Sequence, residues 1–201
     1  MTEAVFTAPL ADASLAQLFA AAHTANNFSN TPVPDTLLVQ LYELIKWAPT
    51  AFNGQPARYF HIRSAPAKEQ LLETLSSNNK QKTAAAPVTL VVAYDSEFDE
   101  YLPELFPAYD VQGYFRQHPQ LKEVSARNNA LLQAGYLILA ARALGLAAGP
   151  MSGFDEQKLN DALFADGRYR AVLVLNLGFA TTDSYRPRAL RLERDVAWKT
   201  L

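Results

Sequence analysis

The chain has 201 residues, of which 49% are apolar, a net charge of −2 and no cysteine. Its length and composition suit one soluble globular domain with a proper core. No apolar run reaches the length of a membrane span, and the missing cysteine excludes disulfides, thiolate nucleophiles, iron–sulfur clusters and thiolate-bound zinc.

The opening stretch MTEAVFTAPLADASL lacks the cationic head and continuous apolar run of a secretory signal, which points to the cytoplasm. Ser14 is placed to cap a first helix, LAQLFAAAHTA, with Leu15, Leu18, Phe19 and Ala22 at helical spacing. Pro34 and Asp35 open a second helix whose Leu37, Leu38, Leu41, Leu44 and Ile45 share a face, ending near Trp47. RYFHI (58–62) predicts a strand, and Pro66 begins the helix AKEQLLETL. SSNNKQK reads as a loop, and PVTLVVAY (87–94) as a buried strand.

A polar and aromatic region, SEFDEYLPELFPAYDVQGYFRQHPQ, reads as short helices or a mobile flap. The longest helix follows, from Leu121 to Leu144, nearly apolar around its circumference between Ala130 and Ala143. It is therefore either central and buried or shared with a partner subunit. GLAAGPMSGFD (145–155) is a glycine-rich connection in which Gly145 stops the helix and Gly149 and Pro150 set the direction. Gly153 exceeds what a turn needs and suggests close approach of something to the backbone. Asp155 caps the short helix EQKLNDALF, AVLVLNLGFA (171–180) is a second buried strand, and the tail from Thr181 carries arginines without a core pattern. Strands alternating with helices make an α+β domain of layered α/β form.

Familiar catalytic signatures fail. In GPMSG, Ser152 sits one place too late for a nucleophile elbow. No H-E-x-x-H occurs, and His23, His61 and His118 are isolated, so no metal site is expected. There is no G-x-G-x-x-G after a strand and no G-K-[ST], which counts against a Rossmann dehydrogenase or a nucleotide hydrolase. Scattered arginines and near-neutral charge also exclude nucleic acid as a partner. What remains is four polar islands: WAPTAFNGQP, SSNNKQK, GPMSGFD and the tail arginines. Singly they also read as a turn, a solvated loop, a connection and surface charge.

Together they resemble the nitroreductase family. Trp47 to Pro56 is similar to its W-A-P-S-S-x-N-x-Q-P segment, and Asn79 and Lys82 have the spacing of its Asn/Lys pair. Pro150 to Phe154 matches its P-x-E/S-G-F, and Arg188 and Arg191 represent its cationic tail. SSNNKQKTAAAPVTLVVAYDSEF, LPELFP and ARALGLAAGPMSGFD look most like its malonic semialdehyde reductases of the Rut pyrimidine-degradation pathway, which form 3-hydroxypropionate. The resemblance implies a nitroreductase-like fold, with a central, mostly antiparallel sheet flanked by helices and a long central helix at a dimer interface. It implies a single domain over 1–201, with 95–120 as a flap or insertion and 181–201 as a C-terminal tail. It also implies a homodimer with FMN at the interface and NADPH or NADH as hydride donor. The alternatives are a broad-specificity nitroreductase or enone reductase, or a non-catalytic flavin-binding protein.

On this basis no side chain is the catalyst, because the hydride is carried by the flavin. Lys82 and Asn79 suit the N1–C2=O edge, and Gly153 offers a bare N–H to N5. Pro49, Thr50 and Ala51 pack on the partner's FMN, with Asn53 in the same segment, while Met151 and Ser152 flank Gly153. Where the wider family has phosphate-gripping arginines, alignment on Phe28, Pro32 and Val33 places Ala22, His23, Thr24, Ala25 and Asn26. Thr24 and Asn26 still hydrogen-bond there, and Arg188 and Arg191 take on the phosphate. Arg116 is the candidate for the substrate carboxylate, against plain surface charge. Tyr94, Tyr109, Tyr114 or water are candidates for the proton donor.

Overall fold

Four strands form one sheet in the order β1-β2-β4-β3, with every neighbouring pair antiparallel. They are β1 (Ala57–His61), β2 (Val88–Asp95), β3 (Ala147–Met151) and β4 (Tyr169–Gly178). This computed structural model describes residues 8–201, so half of the stretch read for a secretory signal lies outside the described residues. No helix among the described residues is long and apolar enough to cross a membrane.

The layered α+β architecture follows from how β2 is covered. Val88, Leu90, Val92 and Tyr94 enter one core while Val91 and Ala93 enter the other, as the two-residue period requires. Helices lie against both faces, so the whole strand is buried and its sequence reads as a continuous apolar run. The first face carries α2 (Asp35–Ile45), α6 (Val111–Gln117) and α7 (Pro119–Ala143); the second carries α3 (Ala65–Thr74) and α8 (Glu156–Leu163).

Helix α7 meets the sheet through Ala126, Ala130, Ala134, Leu137 and Ala141. Alanines at this spacing let the backbones approach closely, and the buried Gln133 fills its own need by accepting from the Ala57 N–H at 3.0 Å. The helix is not covered all round. Val124, Leu131, Leu132 and Tyr136 are exposed in the single chain. Of the residues between β2 and α7, Phe98, Leu102, Val111 and Phe115 are buried in the main core, on a 3₁₀ turn (Phe98–Tyr101), α5 (Leu102–Leu105) and α6.

Four local expectations change. Ser14 caps nothing: α1 (Asp12–Leu15) starts two residues earlier, with Asp12 in its first turn, and continues as a π-helical turn over Ala16–Ala20. Leu44 is exposed, so the buried stripe of α2 narrows to Leu41 and Ile45. SSNNKQK is not a loop but the body of α4 (Ser77–Ala84). Its poor helix formers are held by tertiary bonds, with the Asn176 amide donating to Thr83 Oγ1 at 3.0 Å. Finally, the glycine-rich connection is largely strand β3. Pro150 is tolerated because β3 is an edge, where a missing donor leaves no ladder bond unmade. Only Gly145, with φ of 78°, acts as the helix stop expected of it.

Gly149 answers to packing rather than to direction. The extended segment after α1 crosses β3 there: the Ala25 N–H donates to the Ala148 carbonyl at 2.9 Å. A Cβ on Gly149 would lie 2.6 Å from the Ala25 carbonyl oxygen, and both partners are backbone. Gly149→Ala should therefore lower stability by about 1–3 kcal/mol in denaturant unfolding. Unchanged stability would show that residues 22–29 are not fixed on the sheet.

Candidate active site

The site is built where α4 meets the end of β3. Leu75 and Phe154 form a single antiparallel bridge, with the Ser76 N–H donating to the Gly153 carbonyl at 2.9 Å and the Asp155 N–H to the Thr74 carbonyl at 2.8 Å. The buried Asn79 adds a second donor, its Nδ2 reaching the same Gly153 carbonyl at 3.0 Å. The carbonyl is thus held twice. The Gly153 N–H meets no acceptor among the described residues, and Gly153 is an exposed residue. A Cβ at this position would sit 2.7 Å from Asn79 Nδ2 and 2.9 Å from Ser76 Oγ, so glycine is what lets the two segments close.

Beneath runs a buried polar thread. Lys68 Nζ donates to Thr89 Oγ1 (2.8 Å), which donates to Asn176 Oδ1 (2.9 Å); Asn176 in turn reaches Thr83, whose hydroxyl points at the Met151 sulfur at 3.6 Å. Met151 is accordingly a buried core residue, whereas Ser152 is exposed.

Beside this corner lies a polar recess of about 350 Å³ lined by Asn26, Ser77, Gln81, Lys82 and Arg186. Neither Lys82 nor Arg186 has a carboxylate partner among the described residues, and no acid lines the recess. Burial first, and then the neighbouring Arg186 charge, hold the Lys82 ammonium below the ordinary lysine range. Two unpaired cations facing one cavity suit an electron-rich or anionic guest. Asn26 is fixed by its N–H to the Ser184 carbonyl (2.9 Å) and its Nδ2 to the Thr24 carbonyl (3.3 Å), while Thr24 itself is exposed.

A second recess, of about 410 Å³, is lined by Ala22, His23, Arg142 and Tyr185, with the His23 and Tyr185 ring centroids 5.4 Å apart. Arg188 stands next to it, donating to the carbonyls of Ala20 (2.7 Å) and Ala22 (2.9 Å). Arg191 bonds only its own neighbours, Ala189 and Leu190. Arg116 is exposed on α6 and lines neither recess.

Pro49, Thr50, Ala51 and Asn53 are placed elsewhere. Asn129 Oδ1 accepts from the Ala51 N–H (2.8 Å), Asn53 Nδ2 donates to the Leu105 carbonyl (3.2 Å), and Thr50 Oγ1 accepts from the Gln55 N–H (3.1 Å). Phe52, Asn53 and Gln55 all hold positive φ (55°, 50° and 44°), and the Phe52 ring packs edge-on against Phe106, Tyr109 and Phe115. Within one chain no hydrogen bond among the described residues joins this strained turn to Asn79, Lys82 or Gly153. Arg186 and Arg142 escape the motif comparison, although Arg142 is visible in the sequence as the one charge in an apolar run.

The Nitroreductase family profile matches residues 19–179. The chain belongs to the nitroreductase family. A protein of Stutzerimonas stutzeri, named as a candidate NADH dehydrogenase/NAD(P)H nitroreductase, is 49% identical over 94% of this chain and 97% of its own. The crystal structure of a candidate nitroreductase, ydfN of Bacillus subtilis, has a TM-score of 0.82 at 25% identity, covering 94% of this chain and 99% of that one. A candidate nitroreductase of Exiguobacterium sibiricum, solved in complex with FMN, has a TM-score of 0.80 at 21% identity over 98% and 100% of the two chains; it shares the fold.

Among the tyrosines of this nitroreductase, Tyr94 is poorly suited to deliver a proton. Its hydroxyl donates to Glu123 Oε1 at 3.0 Å, and burial, helped by that bond, pushes its pKa up to about 12. The unfolded chain releases the same proton near 10.0, so the stabilisation is complete below that pH and is lost as pH rises through about 12. Tyr94→Phe should flatten the alkaline decline in stability across this window, measured by denaturant unfolding at several pH values. An equally steep decline in the variant would assign it to other groups.

Proposed function

We propose that this nitroreductase is an FMN-dependent, NAD(P)H-using reductase of a small 3-oxo acid, working in the cytoplasm as a homodimer. The overall reaction is malonic semialdehyde plus NAD(P)H and a proton to 3-hydroxypropionate plus NAD(P)⁺, a step of pyrimidine degradation. The observation that carries it is the Gly153 N–H, exposed and without an acceptor beside the buried Asn79 amide and the Lys82 recess. The donor set fits a flavin. The chemistry that FMN supplies when bound is hydride transfer from nicotinamide to an acceptor.

This chain's residues then have separable tasks. Gly153 would offer its N–H to the flavin's N5 with no side chain in the hydride path. Lys82, with Asn79 and Asn26, faces the N1–C2=O edge, where negative charge grows on reduction. Lys82, unpaired and partly desolvated, with Arg186 lining the same recess, makes that stabilisation stronger than it is in open water. Pro49, Thr50, Ala51 and Asn53 serve the partner's flavin. The exposed apolar face of α7 (Leu131, Leu132, Tyr136) and the exposed tail residues Leu190, Leu192 and Trp198 support a dimer, since a monomer leaves them in water. Arg116 is assigned to the substrate carboxylate.

The substrate rests on the resemblance of LPELFP and GPMSGFD. The name of the Stutzerimonas relative favours a second reading, a broad nitroreductase, and steady-state kinetics separate the two. Purified protein should be yellow and bleached by NADPH, with a higher kcat/KM for malonic semialdehyde than for nitroaromatics. Faster nitro reduction at low substrate would move the assignment to the broad enzyme, bound flavin without turnover to a flavin-binding protein, and failure to take up FMN would remove all three. Gly153→Val should weaken flavin retention roughly tenfold, about the upper value of one hydrogen bond between neutral groups. Its melting temperature should fall only modestly, because the nearest obstruction is the Asn79 amide, a side chain. Loss of stability with full flavin affinity would take N5 away from Gly153.

A further inference from the structure

Asn176 is the one polar side chain in the apolar run 171–180, and no step of the reaction uses it. It is sealed from water in β4, paired across the sheet with Thr89 on one side and Gly149 on the other. Its hydrogen bonds have a fixed direction. The Lys68 ammonium can only donate, so Thr89 Oγ1 accepts from it and spends its own hydrogen on Asn176 Oδ1. That leaves the amide nitrogen facing Thr83, where it donates to Oγ1 at 3.0 Å. Turning the amide over would set its NH₂ group against the Thr89 hydroxyl hydrogen.

Thr83 is where this bond reaches the candidate site. Helix α4 buries no apolar side chain, so no hydrophobic contact of its own holds it down. Its only buried residues are Asn79 and Thr83, which lie four apart and therefore on one face. Asn79 is tied to the Gly153 carbonyl and Thr83 to Asn176. The remaining surface of the helix supplies Ser77, Asn78, Gln81 and Lys82 to the recess, beside Asn26 and Arg186. A short helix of poor formers with a single tie can turn about it or fray. Two ties one turn apart fix its rotation, and with it the direction of Lys82.

We propose that Asn176 is a positioning residue: through Thr83 it sets the rotation of α4 and so aims Lys82 into the recess. This rests on the flavin assignment above. Asn176 does not line the recess and acts only through the helix. Strand β4 is a suitable reference for that helix, because it is paired along both edges, with β2 and with β3.

Thr83→Val removes the hydroxyl at nearly constant shape, and Thr83→Ser returns it. Amide hydrogen exchange on full-length apoprotein reads the tie without any flavin. In Thr83→Val, exchange over residues 77–84 should rise about tenfold while β2 and β4 keep their protection, and Thr83→Ser should restore it. Unchanged exchange in α4, or an equal rise across the sheet, overturns the proposal. FMN affinity, from quenching of flavin fluorescence, should fall about fivefold in Thr83→Val and recover in Thr83→Ser. In a Lys82→Met background the same Thr83→Val change should cost less than about twofold, because no cation is left to aim. Equal losses with and without Lys82 overturn the proposal and make Thr83 a general support of the fold. Asn176→Leu should reproduce both changes, and adding Thr83→Val to it should alter neither further; additive losses overturn Asn176 as the residue that acts on Thr83. Where Asn176→Leu does not fold, Thr83→Val decides alone. A wild-type protein that takes up no FMN removes the flavin assignment and this role with it, and faster α4 exchange in Thr83→Val then marks a structural tie only.

Discussion

Everything at the candidate site depends on the doubly held carbonyl of Gly153. Ser76 donates to it from the backbone and Asn79 from its side chain, so one oxygen fixes the start of α4 against the end of β3. That single junction sets where Lys82 points, because Lys82 lies one turn beyond Asn79 on the same helix. The Gly153 N–H belongs to the preceding peptide, whose Ser152 carbonyl accepts from the Phe154 N–H at 3.1 Å. A side chain at 153 would push on the Asn79 amide and on the Ser76 hydroxyl at once. The surplus glycine of the sequence is therefore a packing requirement first, and its N–H is left without an acceptor among the described residues.

The buried thread from Lys68 to Met151 gives this junction a rigid base. Thr89, Asn176 and Thr83 are essentially sealed from water, and each has its partner. Hydrogen bonds in such surroundings contribute modestly when made and cost heavily when broken, so a network of this kind specifies one arrangement more than it adds stability. The thread passes through the sheet, from the α3 side to the strand that carries Met151. Asn176 is the pivotal member, with its carbonyl spent on Thr89 and its amide on Thr83.

Much of this was legible in the sequence, and the failures have a common cause. The β2 run, α2, α8 with its Asp155 cap and the long α7 follow from periodicity and capping, which are local properties. Asn79, Lys82 and Gly153 came from motif spacing, and the structure places Asn79 on Gly153 and Lys82 beside them. What escaped is tertiary. SSNNKQK has no helical signature because its helix is held by Gly153 and Asn176 from outside; AAGPM has no strand signature because glycine and proline survive at a sheet edge that only the topology reveals. Arg142 and Arg186 escaped for the same reason. A single arginine in sequence carries no sign of whether it will meet a carboxylate, and neither of these does among the described residues.

The unpaired cations and the strained turn belong to one energetic pattern. Lys82 with Arg186, and Arg142 with Arg188, are like-charged neighbours that raise the free energy of the unliganded fold. Phe52, Asn53 and Gln55 hold left-handed backbone angles at a further cost of order 1–3 kcal/mol each. None of these features stabilises the isolated chain. Burial in two cores, one on each face of the sheet, is what allows them to persist. Charges left unbalanced at the Lys82 recess lower the stability of the free protein, and any guest that binds only the folded state offsets that loss by mass action.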